Sequence, residues 1–169
     1  AVGENSYRQY RQLLEEKGGN ALKITNFESS HSTRSVVSLV LVQQALALGG
    51  LHFHYEFNVY PTPSRQVKTV KDGENALLGN DMWFDAFDET VYRSFPFTKK
   101  GEFLKVVVGR KDNQNIQNIS SLNDFAPLSA ITGHDWTLDI ETLESIGVGR
   151  IEMVAQYPLQ FKMIKAGRA

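Results

Sequence analysis

Apolar positions along the chain switch between a helical and a strand-like rhythm. Tyr7, Tyr10, Leu13 and Leu14 recur at helical spacing over residues 6–17, and Gly18-Gly19 end that run. Residues 22–27 alternate apolar with polar and predict a strand. A Ser-rich polar loop covers residues 28–33. Ser32 or Thr33 can cap the helix predicted over residues 34–48, which stops at Gly49-Gly50. This helix is apolar around most of its circumference, which predicts burial in the core. Residues 51–60 alternate again, with Leu51, Phe53, Tyr55, Phe57 and Val59 on one face and His52, His54, Glu56 and Asn58 on the other. Pro61 and Pro63 end the strand, and Ser64 can cap a helix reaching residue 74.

The second half repeats the alternation. Residues 76–79 predict a short apolar strand, residues 84–101 an irregular stretch, and residues 103–110 a β-branched strand. Residues 112–121 are a polar connector, followed by a short helix at 122–125 and a strand at 128–132. Gly133-His134-Asp135-Trp136 opens a helix that ends at Gly147. A strand over 150–155 and a helix over 157–167 complete the order. Strands alternating with helices predict an α/β fold with mostly parallel sheets and flanking helices. The polar stretch at residues 112–118 divides it into two sheet units.

Charge and composition narrow the functional classes. The 169 residues carry 18 Lys+Arg against 19 Asp+Glu, a net charge of −1, which offers no field for nucleic acid. A hydrophobic content of 41%, with 11% aromatic, is enough to build a core. The absence of cysteine excludes disulfides, thiolate metal sites and cysteine nucleophiles. No run reaches the roughly 18 apolar residues of a membrane helix.

In open parallel sheets, ligands sit beyond the carboxyl ends of strands, where helix N-termini offer unpaired N–H groups. Three loops hold that position in the predicted order: residues 28–33, 80–83 and 133–136. Gln156-Tyr157 is a fourth. The candidate ligand-binding residues are therefore Glu28, Ser29, Ser30, Asn80, Asp81, Trp83, Gly133, His134, Asp135, Trp136 and Tyr157. Their mix of hydroxyls, amides and aromatic rings suits a small polar solute and calls for no cofactor. Trp83 and Trp136 can stack on such a ligand or pack in the core. His52, His54 and Glu56 share a strand face, but alternate residues stand about 6.6 Å apart, wide for two imidazoles on one ion. They read as an exposed face, not a metal site. His134 and Asp135 can form an acid–base pair, or Asp135 can cap the helix while His134 lines a cleft. No Gly-x-Ser-x-Gly, P-loop or His-Glu-x-x-His segment supports an enzyme.

Several segments together carry a family resemblance. They are Val106-Val107-Val108-Gly109-Arg110-Lys111-Asp112, Ser120-Ser121-Leu122-Asn123-Asp124-Phe125, Thr132-Gly133-His134-Asp135-Trp136, and Phe161-Lys162-Met163 running to Gly167-Arg168. In this order they resemble bacterial extracellular solute-binding proteins of the type 2 periplasmic class, in the polar amino-acid-like branch. The motifs cover residues 103–169; residues 21–102 fit by pattern alone. The resemblance implies a two-lobed fold. Residues 1–20 would be a helical extension, 21–102 the first lobe, 103–118 a crossing strand and hinge, and 119–169 part of the second lobe. It implies that the second lobe and the segment returning to the first are incomplete here. Sheets left open in that way imply domain-swapped or homo-oligomeric association. The implied function is binding of a small polar solute in the periplasm for the permease of an ABC-type transporter. An extracytoplasmic sensor domain is the alternative, and an enzyme using His134 and Asp135 a third. Amino-acid binders of this class carry an arginine shortly after the third strand. Residues 80–89 hold none and contain four acids, Asp81, Asp85, Asp88 and Glu89, which argues against an α-amino acid as the ligand.

Overall fold

Val2 is completely buried, and the first half of the chain is assembled around it. The computed structural model describes residues 1–83, 87–99 and 101–168. Part of the expected irregular stretch, residues 84–86 and 100, lies outside that set. The chain divides into two units, Ala1–Phe97 and Thr98–Ala169.

In the first unit, strand β1 (Val2–Gly3) pairs in parallel with β2 (Val59–Tyr60). On the other flank the Ala1 nitrogen donates to Leu77 O at 2.8 Å, and Gly79 N–H donates to Ala1 O at 2.8 Å. The segment expected as a strand at 76–79 forms none; it only lies along the head of β1 through these two bonds. Helix α1 (Glu4–Glu16) follows β1 and turns Tyr10 and Leu13 inward. Helix α2 (Arg34–Leu48) contributes Val36, Leu39 and Val40. With Ala21 and Ile24 these residues form the core, and Tyr7, Leu14, Phe27 and Phe57 pack against it. Gly79 is where this core is tightest: a Cβ there would come within 2.7 Å of Leu39 Cδ1 and 3.2 Å of Ala1 O. Residues 1–20, expected as an extension, thus supply Val2, Tyr10 and Leu13 to the core itself.

Other expectations are corrected. Helix α2 is not buried all round. Val36, Leu39, Val40 and Gln43 follow one i, i+3, i+4, i+7 stripe, while Leu48 is 90% exposed. Residues 22–27 form no strand. A 3-10 turn at Ala21–Lys23 begins under Asn20, whose side chain accepts from Leu22 N–H at 3.0 Å. Gln44 Nε2 then donates to Ala21 O and Ile24 O at 2.9 and 2.8 Å, taking carbonyls that a strand would use. Of residues 51–60 only Val59 and Tyr60 enter a ladder. Phe57 packs on Tyr7 and Tyr10, at centroid distances of 5.3 and 5.4 Å. Helix α3 (Pro63–Lys71) is capped by Thr62, not Ser64: Thr62 Oγ1 accepts from Arg65 N–H at 3.3 Å, and Pro63 occupies the first turn, where its missing N–H costs nothing.

The second unit begins with the segment expected as a β-branched strand. No strand forms there: Val106, Val107 and Val108 are all exposed. β propensity reflects packing against a neighbouring strand, and among the described residues none pairs with this run. The polar connector contains the single-turn helix α4 (Gln114–Gln117), and the short helix expected after it is a 3-10 turn at Leu122–Phe125. Asp124 accepts the backbone N–H groups of Ser120 and Ser121 at 2.9 and 2.7 Å, which fixes the entry to that turn. Strand β3 (Ser129–Gly133), helix α5 (Thr137–Ser145) and strand β4 (Arg150–Val154) form a βαβ unit. Its ladder is parallel, in register from Ser129↔Arg150 to Gly133↔Val154. Helix α6 (Tyr157–Lys165) packs on both strands. The chain is thus mixed α/β, with one small parallel sheet in each unit.

Two measurements check this packing. Leu39→Ala should lower the unfolding free energy of the first unit by about 3 kcal/mol in urea, whereas Leu48→Ala on the same helix should change it by less than about 0.5 kcal/mol. The second concerns acid. Hydrogen bonds from the Ser120 and Ser121 backbones hold the Asp124 carboxyl below its ordinary value. A depressed folded-state pKa contributes stability above the unfolded value, near 3.9, and loses it as pH falls through the folded value. Asp124→Asn should therefore flatten the acid limb of the melting-temperature profile below about pH 4.

Candidate functional site

The carboxyl ends of the first unit's parallel segments point to one polar spot. Gly3 leads into α1, Tyr60 leads through Pro61-Thr62 into α3, and Gly79 leads into Asn80-Asp81. Gln66, on the first turn of α3, is only 2% exposed. Its Nε2 donates to Thr62 O at 3.3 Å, and its Oε1 accepts from Asn80 Nδ2 at 3.0 Å. The Asn80 amide is thereby fixed, and its Oδ1 is left buried with no hydrogen-bond partner. A Cβ on residue 3 would stand 3.2 Å from Gln66 Nε2 and 3.3 Å from Asn80 Nδ2, so glycine keeps this spot open. Asp81 turns toward the start of α2. Arg34 Nε donates to its Oδ2 at 2.6 Å, and Ser35 Oγ to its Oδ1 at 3.1 Å.

Glu28, Ser29 and Ser30 are not brought to this spot. Lys17 Nζ donates to Glu28 O at 2.9 Å, and Ser29 Oγ to Glu16 Oε2 at 2.6 Å. These partners stand at the C-terminal end of α1. Gly3 precedes its N-terminal end, 13 residues and about 20 Å away along the axis. The displacement follows from the missing strand at 22–27, whose carboxyl end would have delivered the loop to the tips. The Ser29 hydroxyl, and then Lys17, hold the Glu16 carboxyl below its ordinary value. Trp83, two residues past Asp81, is 43% exposed.

In the second unit Gly133, His134, Asp135, Trp136 and Tyr157 do come together, at the carboxyl ends of β3 and β4. His134 N–H donates to Val154 O and Trp136 N–H to Gly133 O, both at 3.0 Å. The Trp136 ring lies over Gly133, 5.7 Å from the Tyr157 ring, which in turn meets Phe161 edge-on at 5.1 Å. Asp135 does not cap α5: the cap position is Trp136, and it makes no side-chain bond. Asp135 Oδ1 instead lies 2.5 Å from His134 Nδ1. His52, His54 and Glu56 are exposed, and among the described residues no three His, Asp or Glu side chains group closely enough for a metal ion. Among the same residues no helix is long and apolar enough to cross a membrane.

Sequence reading missed Gly3, Arg34 and Gln66. The signal for Gln66 was concealed: α3 buries Gln66 and Thr69, while Val67 and Val70, the residues an apolar pattern selects, are only partly covered. No family model matches the chain, and no curated protein or solved structure matches it.

If the Ser29 hydroxyl is committed to Glu16, Ser29→Ala should move the Glu16 carboxyl pKa upward, toward its ordinary value. A carbon-detected NMR titration of the Glu16 side chain reads this directly.

Proposed function

We propose that this chain is a receptor for a small polar solute, an extracytoplasmic binding protein that delivers its ligand to the permease of an ABC-type transporter. The observation that carries the reading is Asn80 Oδ1: a buried acceptor without a partner, set in an amide frame at the carboxyl ends of parallel segments. A buried acceptor left unpaired costs about 1–3 kcal/mol. A solute that offers an N–H or O–H donor relieves that cost on binding. Gln66 and Thr62 orient the amide beforehand, so little side-chain entropy is lost when the solute arrives. Asp81, held by Arg34 and Ser35, supplies a fixed carboxylate nearby in sequence and fold. The second unit, taken by itself, also sets flat apolar surface, the Trp136 and Tyr157 rings, beside its own polar strand tips, the usual lining of a site for polar molecules.

Melting curves of the whole chain against amino acids, sugars, polyols, polyamines and organic acids test the proposal. A solute at 100 times its Kd should add about 2.7 kcal/mol of stability. Asn80→Ala should weaken that solute by about tenfold or more, the value of one buried hydrogen bond. The reading fails if no solute raises the melting temperature, or if Asn80→Ala responds as the parent does.

A further inference from the structure

Residues 103–110 are rich in β-branched side chains, yet they form no strand. Two ties to their own unit fall at odd-numbered positions. Lys105 is ion-paired with Asp139 of α5, and Gly109 backs onto the Ile116 side chain with no room for a Cβ between them. The even-numbered positions are the more open: Leu104 and Val106 are 78% and 77% exposed, against 40% for Phe103. Val107 is itself 59% exposed, so the middle of the segment stands clear of its unit on both faces. Among the described residues, the backbones of Leu104, Val106, Val107 and Val108 bond to no other segment. A row of unpaired N–H and C=O groups among exposed apolar side chains is a template for another strand.

The occupant that fits this edge is a second copy of the same segment. In an antiparallel ladder, residues directly opposite send their side chains to the same face. Neighbours along one strand send theirs to opposite faces, so a two-fold pair must set one residue against its own copy. With Val106 on the axis, Leu104 lies opposite Val108 and Glu102 opposite Arg110, and symmetry repeats each pair. Phe103 then faces Gly109. An axis one residue earlier sets Lys105 against its own copy. An axis one residue later sets Glu102 against Asp112, and the next sets Lys105 against Lys111. Of these four registers, only the one centred on Val106 opposes unlike charges and no like ones.

We propose that residues 102–110 are a homodimerisation strand, pairing antiparallel with the same segment of a second copy about Val106. Glu102 and Arg110 form an ion pair at each end of the ladder. Both are exposed, and their present bonds are local: Glu102 Oε2 accepts from Lys99 N–H at 2.8 Å, and Arg110 Nε donates to Asp112 Oδ1 at 2.8 Å. A guanidinium has several N–H donors and a carboxylate several acceptor sites, so each can serve a partner too. One two-strand ladder buries less than the roughly 1,600 Å² of a standard interface, so the association is of the weak, concentration-dependent kind. It is independent of solute binding.

Sedimentation velocity of the whole chain from about 1 μM to about 1 mM spans that regime. The parent should pass from monomer to dimer across the range. Glu102→Arg sets guanidinium against guanidinium at both ends, and Arg110→Glu sets carboxylate against carboxylate. Each variant alone should dimerise about tenfold or more weakly. An equal mixture of the two should recover dimers, because every 102–110 pair across the heterodimer again opposes unlike charges. Val106→Lys puts two ammonium groups on the axis and should also leave a monomer. All three positions are exposed, so the monomers should melt with the parent, and Val106→Lys keeps the test decisive if a charge variant does not fold. In a mixture of isotope-labelled and unlabelled parent, intermolecular NOEs should join the Leu104 and Val108 methyls. A parent that stays monomeric at the highest concentration overturns the proposal. So does any single variant that associates as the parent does, a mixture that recovers no dimer, or a dimer without the Leu104–Val108 contact.

Discussion

A two-residue strand governs the first unit. Val2 is completely buried, bonded through its backbone to Asn58 on one flank, while its neighbour Ala1 bonds to Leu77 and Gly79 on the other. Those bonds bring three distant parts of the chain to a common level. The close approach of Leu39 to Gly79 fixes the depth at which α2 packs against them. Because the three segments run parallel, their carboxyl ends all emerge on one side. Gly3, Thr62 and Asn80 become neighbours for that reason alone, although up to 77 positions separate them in sequence. The polar spot follows from the pairing of β1.

The two units place polarity in similar ways. Each holds a short parallel sheet, and each buries an amide side chain at the sheet's carboxyl end: Gln66 in the first, Gln160 in the second. Burying an amide is unfavourable unless its hydrogen bonds are made. The first amide is satisfied by Thr62 and Asn80, and the shortfall is passed to Asn80 Oδ1. The second carries its own unmet donor. An apolar side chain at position 160 would avoid that cost, whereas one at position 66 would strip Asn80 Nδ2 of its acceptor. Trade-offs of this kind accompany binding surfaces.

Helices were readable because their signals are local. The residue 34–48 helix has the bounds that its Gly49-Gly50 stop predicts, and the helices near residues 6–17, 64–74 and 157–167 differ only at their ends. Strands 128–132 and 150–155 were also legible, since each is a short segment with apolar residues, bounded by turn residues, and the two pair across a single helix. The strands at 22–27 and 103–110 failed for a shared reason. Alternation and β-branching describe a surface fit for pairing, but they do not supply the neighbour. Ile24 went into the core through a turn held by Gln44, and Val106 to Val108 remained exposed. The candidate site divided along the same line. The residue 133–136 loop follows β3, which pairs in parallel, and lies at its tip, while Asn80 and Asp81 follow a segment that forms no strand but is tied to Ala1 by two backbone bonds. Glu28, Ser29 and Ser30 follow a segment that has neither, and they lie at the far end of α1.

By itself, the sequence determined what depends on residues a few positions apart: the helical stretches, their stops at glycine, the parallel βαβ unit and the polar character of the loops. Tertiary structure alone decided which face of α2 is buried, that residues 1–20 belong to the core, and that Gln66 and Gln160 lie inside. Helix periodicity marks an apolar stripe, but it cannot report which polar residue at the stripe's edge will be covered by another element. That coverage is set by backbone hydrogen bonds between segments far apart along the chain.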